Sequence, residues 1–369
     1  MSIQSMIIYS LIIFLLGFLL SYIFSFASRR WAILYGALNI PTSERQIHKI
    51  PIPQWGGLGI AITLGILVFI LSFEGSVFSI KLQLIQVVGF VAGIAILNFG
   101  GMLDDKYDLK AWQSILFPVV AALIVILTGT SIRHVTNPGT SMPFYLDWLT
   151  WSPFGGTWSL VFPADLITFV WLMIAMYATK IADGLDGLVT GITVIGAAMV
   201  GALSAMPAYY QPISTILSAA VAGSFAGFLP RNIHPAKQFL GEGGSTMAGF
   251  SLGFLAIMSS AKIAIALAVL AIPVADILIA ITRRIKHHKP WYKADKDHLH
   301  HRLLDAGIGH RQIVYFLWLI VATAGVAALL MQTRGKIFLV LILVLLTFFA
   351  SWLADKAIQK KLPLNQNKK

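Results

Sequence analysis

The sequence predicts an all-α integral membrane protein, a polytopic bundle of about eleven transmembrane helices with the N-terminus outside and the C-terminus cytoplasmic. Three observations carry this. The 369 residues are 57% hydrophobic and only 11% charged, with a mean hydropathy of +0.81, whereas a soluble domain is about a quarter charged. The apolar residues come in runs of about 20, the length that crosses a bilayer core as helix. Lys and Arg are also unevenly placed between those runs.

The expected spans are 6–27, 57–73, 82–103, 111–130, 162–180, 188–206, 211–229, 246–259, 262–282, 312–331 and 336–354. The eighth is short, and is expected to tilt, to thin the bilayer or to extend past this boundary. With the N-terminus outside, the inside segments are 28–56, 104–110, 180–187, 230–245, 283–311 and 355–369. They hold 22 of the 27 Lys and Arg, leaving Lys81, Arg133, Lys262, Arg334 and Lys336 outside. That asymmetry sets the orientation. It also accounts for the net charge of +12 through anionic headgroups, so no nucleic-acid partner is needed. No polar linker divides the chain, which reads as one transmembrane domain over 1–354 and a basic cytoplasmic tail, 355–369. The absence of Cys excludes disulfides and thiolate metal sites. The first 28 residues contain no Lys or Arg, so the basic start of a cleavable signal is missing.

The acids follow the bases. Asp104, Asp105, Asp108, Asp183, Asp186 and Glu242 all fall on inside segments, which places the chemistry on the cytoplasmic face. In "NFGGMLDDKYDLK", the adjacent Asp104 and Asp105 repel unless a cation or proton sits between them; a solvated helix end is the blander reading. In "KIADGLDGL", Asp183 and Asp186 share a face if the turn stays helical. Gly184 and Gly187 permit close backbone approach. An EF-hand is excluded, since its alternating ligands and terminal Glu are missing.

"RNIHPAKQFLGEGGSTMAGF" sets Glu242 among glycines just ahead of a span. Gly-rich backbone leading into a helix suits a phosphate, and the carboxylate suits Mg²⁺, a hard cation that prefers oxygen. "DKDHLHHRLLDAG" reads as a short helix capped by Asp297 and ended by Gly307, with His298, His301 and Arg302 on one side. A zinc site there lacks a third ligand at helical spacing, and a cationic cradle for a diphosphate fits better. His48 and Lys49 lie in "ERQIHKIPIPQWGG", where Lys49 could meet a phosphate at the membrane surface. Asp276 stands seven residues before Arg283, about 10 Å deep, where a charge needs a partner or a polar cavity.

In this order the motifs resemble the polyprenyl-phosphate N-acetylhexosamine-1-phosphate transferases of glycosyltransferase family 4, from "HKIPIPQWGG" to "HLHHRLLDAGIGHRQ". "DHLHHRLL" and "RQIHKIPIPQWGG" look like the branch that moves GlcNAc-1-phosphate from UDP-GlcNAc to undecaprenyl phosphate, releasing UMP and starting lipid-linked envelope glycans. The peptidoglycan branch, the phospho-N-acetylmuramoyl-pentapeptide transferases, typically carries a "PFHHHFE"-like string that is missing here. The resemblance implies an Mg²⁺-dependent enzyme (Mn²⁺ as a substitute) in the bacterial cytoplasmic membrane, among membrane lipids, with its site facing the cytoplasm. A homodimer is implied only by the resemblance.

It further implies that Asp104 and Asp105 activate the lipid phosphate, Asp104 as the base, and that Asp105 and Glu242 organise the metal. Asp183, Asp186, Asn232, His298, His300 and His301 would hold the nucleotide sugar and its diphosphate, and the residues themselves add Lys180 and Arg302 to that group. Lys49, with His48, would hold the lipid phosphate, and Asp276 matches an acid of the ninth span. Two positions depart from the pattern: "GEGGS" stands for the usual "GDxGS", and Lys180 stands where Asn is usual. They put metal geometry and nucleotide-sugar preference in question, and Lys180 is expected to replace a hydrogen bond with an ion pair to Asp183, Glu242 or the diphosphate. Two further readings are a secondary transporter, which should cluster its acids at mid-membrane in two related halves, and a non-catalytic lipid-binding relative, suggested by Lys180 and Glu242.

Overall fold

The computed structural model describes residues 2–41, 50–73, 84–137, 139–140, 142–152, 159–259, 263–286, 288 and 298–366. His48, Lys49 and Asp297 lie outside the described residues. A helix covers each of the eleven expected spans: α1 (Ile3–Leu34), α2 (Gly56–Phe73), α3 (Leu84–Tyr107), α4 (Ala111–Ser114) with α5 (Leu116–Leu127), α6 (Ala164–Ala182), α7 (Leu188–Ala205), α8 (Pro212–Asn232), α9 (Gly241–Met258), α10 (Ile263–Lys286), α12 (His310–Leu330) and α13 (Thr333–Gln366). Between the last long pair but one lies the short α11 (Leu299–Asp305). Eight of these helices are long and apolar enough to cross a membrane. The chain is therefore a multi-pass membrane protein.

Small residues decide which helix is central. In α9, Gly243, Gly244, Ala248, Gly249 and Gly253 are all buried. A Cβ at Gly249 would lie 2.0 Å from the Ala175 carbonyl oxygen of α6. Its neighbours include α3, α6, α2 and α7, and Phe250 and Phe254 pack on Phe90 of α3 with ring centroids 5.8 and 4.6 Å away. The large apolar side chains of α1, Ile7, Leu11, Leu15 and Leu19 among them, are exposed on its outer face. A water-soluble surface does not carry such a stripe; a lipid-facing one does.

Three boundaries differ from expectation. The span 111–130 breaks at Ile115, because Pro118 has no N–H to give the Ser114 carbonyl and its ring crowds that turn. The eighth span begins five residues earlier, at Gly241, which resolves its shortness. The expected polar tail instead continues α13 as helix to Gln366. The all-α expectation also misses three antiparallel ribbons. These pair β1 (Leu38–Asn39) with β2 (Ile52–Pro53), β3 (His134–Thr136) with β4 (Pro143–Tyr145), and β5 (Asp147–Trp151) with β6 (Leu160–Pro163).

Candidate functional site

Glycine contacts bring the acids together. A Cβ at Gly101 of α3 would lie 1.9 Å from the Gly243 nitrogen, and one at Gly57 of α2 would lie 2.5 Å from that of Gly244. Only hydrogen fits, so the backbones of α2 and α3 touch the start of α9. Asp105, one turn beyond Gly101, then reaches the exposed N–H groups of that helix. Its Oδ1 accepts from the Glu242 N–H at 3.0 Å and from Gln54 Nε2 at 3.2 Å. Gly241 opens α9 at φ +78°, where a Cβ would meet Asp105 Oδ2 at 2.4 Å. A carboxylate at a helix N-terminus is favoured by the orphan donors and the helix dipole.

The turn after α6 supplies the opposite wall. Lys180 forms an ion pair with Glu242, and its Nζ also donates to Ser114 Oγ at 3.2 Å. The two positions that depart from the family pattern thus contact each other. Asp183 ends α6. Burial, with Glu242, Asp105 and Asp186 nearby, pushes its carboxyl up to about 8. Asp186 Oδ2 is held by His234 Nδ1 at 2.7 Å and by the Ala236 N–H at 3.1 Å. Gly184 is packed against His300, since a Cβ there would stand 2.0 Å from His300 Nε2. Burial, then the neighbouring His301, His298 and His310, lower the His300 pKa well below the ordinary value.

These walls enclose an open cavity of about 480 Å³ lined by Asp105, Lys180, Asp183, Asp186, Asn232, Glu242 and His301, all expected site residues. Others stand apart. Asp104, expected as the base, does not line the cavity; its Oδ1 accepts from the Leu109 N–H at 3.0 Å. Asn232 faces the cavity but is tied to Thr190 Oγ1 at 2.6 Å and the Gln238 carbonyl at 3.2 Å. Arg302, expected at the diphosphate, points to α13, where it pairs with Asp355 and donates to Ser351 Oγ. Asp276 accepts from the Leu299 N–H at 2.7 Å and faces His298 Nδ1 at 3.0 Å. His298, not the expected Asp297, is the residue before the first turn of α11.

Sequence reasoning missed Gln54, Ser114, His234 and His310. His234 and His310 stack at 4.0 Å. Both stood inside quoted motifs, but nothing in their spacing links positions 76 residues apart. Among the described residues, the set of three ligand atoms lying within 4.8 Å of one another is that of Asp186, His234 and His310. This differs from the zinc reading at His298 and His301. Asp105, Asp183 and Glu242 offer the oxygen donors that suit a hard divalent cation and share the cavity with Lys180, but their oxygens are not gathered within 4.8 Å of one another.

Apolar spanning helices whose ends gather acids, one lysine and histidines round a cavity define a membrane protein that handles charged ligands at one face. The profile of Glycosyl transferase family 4 matches residues 87–260. A Bacillus subtilis protein named probable undecaprenyl-phosphate N-acetylglucosaminyl 1-phosphate transferase is 31% identical over 326 residues, 86% of this chain and 84% of that one. A Mycobacterium tuberculosis decaprenyl-phosphate N-acetylglucosaminephosphotransferase is 30% identical, covering 81% of this chain and 77% of its own. A phospho-N-acetylmuramoyl-pentapeptide-transferase of Halalkalibacterium halodurans is more distant, at 28% over 280 residues and 72% of this chain. The chain belongs to glycosyl transferase family 4.

Proposed function

We propose that the chain transfers N-acetylglucosamine-1-phosphate from UDP-GlcNAc to undecaprenyl phosphate at the cytoplasmic face of the bacterial inner membrane, releasing UMP. This would start lipid-linked envelope glycan synthesis. The observation that carries the reading is the convergence of Asp105, Asp183, Glu242 and Lys180 on one cavity at the helix ends. There a soluble nucleotide sugar can meet an acceptor whose tail stays in the bilayer. The relatives' names support the acceptor class, and the greater distance of the pentapeptide transferase disfavours that branch.

In the proposed step an oxygen of the lipid phosphate bonds to the phosphorus that carries the sugar. The anhydride P–O bond breaks, and its electron pair leaves on UMP. Attack is direct, without a phospho-enzyme. Asp105, rather than Asp104, is the acid of the pair on the cavity wall, placed to take the proton of an acceptor that arrives as the monoanion. Asp105, Asp183 and Glu242 would hold Mg²⁺, or Mn²⁺ in its place, which supplies charge neutralisation at the diphosphate. Asp186 and His301 line the same cavity where the nucleotide would lie.

The test incubates purified protein with undecaprenyl phosphate, radiolabelled UDP-GlcNAc and Mg²⁺, and follows UMP and labelled lipid. UDP-MurNAc-pentapeptide runs beside it and is expected to be inert. Asp105→Asn and Glu242→Gln are expected to lose about 100-fold or more, as removal of one preorganised charged group does. No UMP from any UDP-HexNAc rules out the enzyme reading; full activity in both variants rules out this site.

A further inference from the structure

The Lys180–Glu242 ion pair lies on the wall of the cavity, among its acids. Lys180 and Glu242 are both about three-quarters buried, with side chains 25% and 20% exposed. Asp105 and Asp183 line the same cavity as this pair. The ammonium of Lys180 is anchored from two sides, by the Glu242 carboxylate and by Ser114 Oγ at the break between α4 and α5. Glu242 is likewise anchored at its backbone, whose N–H is held by Asp105. Its side chain can therefore exchange partners without the helix moving.

We propose that Lys180 is a tethered cation that competes with the divalent metal for the Glu242 carboxylate, so that it sets the metal affinity of the site. This rests on the proposed reading that Asp105, Asp183 and Glu242 hold the metal. A fixed ammonium on one carboxylate lowers that group's availability to a second cation and repels the cation through space. When the metal takes Glu242, the freed ammonium stays beside the cavity wall, within reach of an anionic ligand. The lysine thus serves as the counter-charge of the acidic wall while the metal is away.

Mn²⁺ binding to the purified full chain, followed by electron paramagnetic resonance without nucleotide or lipid, tests this independently of turnover. Lys180→Gln is expected to bind Mn²⁺ about tenfold more tightly than the parent, and Lys180→Arg, which keeps the charge, to stay near it. Glu242→Gln in the Lys180→Gln background should lose that gain. Equal or weaker binding by a Lys180→Gln protein that melts cooperatively overturns the proposal, as does a gain that survives Glu242→Gln. No Mn²⁺ binding by the parent or any variant overturns it together with the metal reading. The UMP assay then reports separately on the transferase reading, because competition at Glu242 can fail while turnover persists.

Discussion

At the scale of single residues, the site's charge balance gives Asp183 a measurable pH signature. An aspartate ordinarily ionises near 3.8, and here the folded chain holds the carboxyl up to about 8. Folding thus favours the protonated form. Below the unfolded value this group costs nothing; between about 4 and 8 the unfolded chain ionises and the folded one resists, so stability falls as pH rises. The melting temperature of chelator-treated protein is therefore expected to drop from pH 5 to pH 8, with Mg²⁺ restoring more at pH 8. Asp183→Asn should flatten the slope, and an unchanged slope would refute the assignment. The aspartates and Lys180 were visible as polar residues at apolar borders. A pairing of Lys180 with Asp183, Glu242 or a diphosphate was also legible; that Glu242 is the partner was not, since 62 residues and two helices separate them.

At the scale of elements, α11 shows how a segment of seven residues is kept helical. So short a helix is unstable alone. Asp276, deep in α10, accepts from the Leu299 N–H and faces His298, while Arg302 is locked to Asp355 and Ser351 of α13. The intramembrane acid that invited a transporter reading is thereby occupied as a cap, and is a positioning residue. Asp276→Ala is expected to cost about 1–2 kcal/mol, the usual range for a lost cap. It should also raise the KM for the nucleotide sugar more than it lowers kcat, because His301 on the same helix lines the cavity. A wild-type KM in a protein of lowered melting temperature would confine Asp276 to stability. The short helix itself was legible from "HLHHRLLDAG"; the direction of Arg302 was not. Helical spacing places a residue on a face without saying which neighbour that face meets.

At the scale of the whole molecule, α6 joins the two ends of the bundle. Its 19 residues span about 28 Å, from the β5–β6 ribbon to the Lys180 turn, so ribbon and site lie on opposite sides of a membrane. From the basic-residue asymmetry we propose that the ribbon lies outside. Since the chain has no Cys, single cysteines can test this directly. Trp148→Cys, exposed in the ribbon, should react with a membrane-impermeant maleimide on intact spheroplasts, and Tyr107→Cys, exposed beside the acids, only after lysis; the reverse pattern would invert the orientation. The sequence by itself determined the class of fold, the number and order of spans, and the motifs that place the chain among its relatives. Those properties follow from local composition: a run of apolar residues must bury its backbone as helix wherever it lies in a bilayer. Tertiary structure alone decided which polar groups share a cavity. It did so through glycines that let α2, α3 and α6 touch α9, a contact set by packing between distant segments. That contact joins Asp105 and Lys180 to Glu242, while Arg302 is directed to α13.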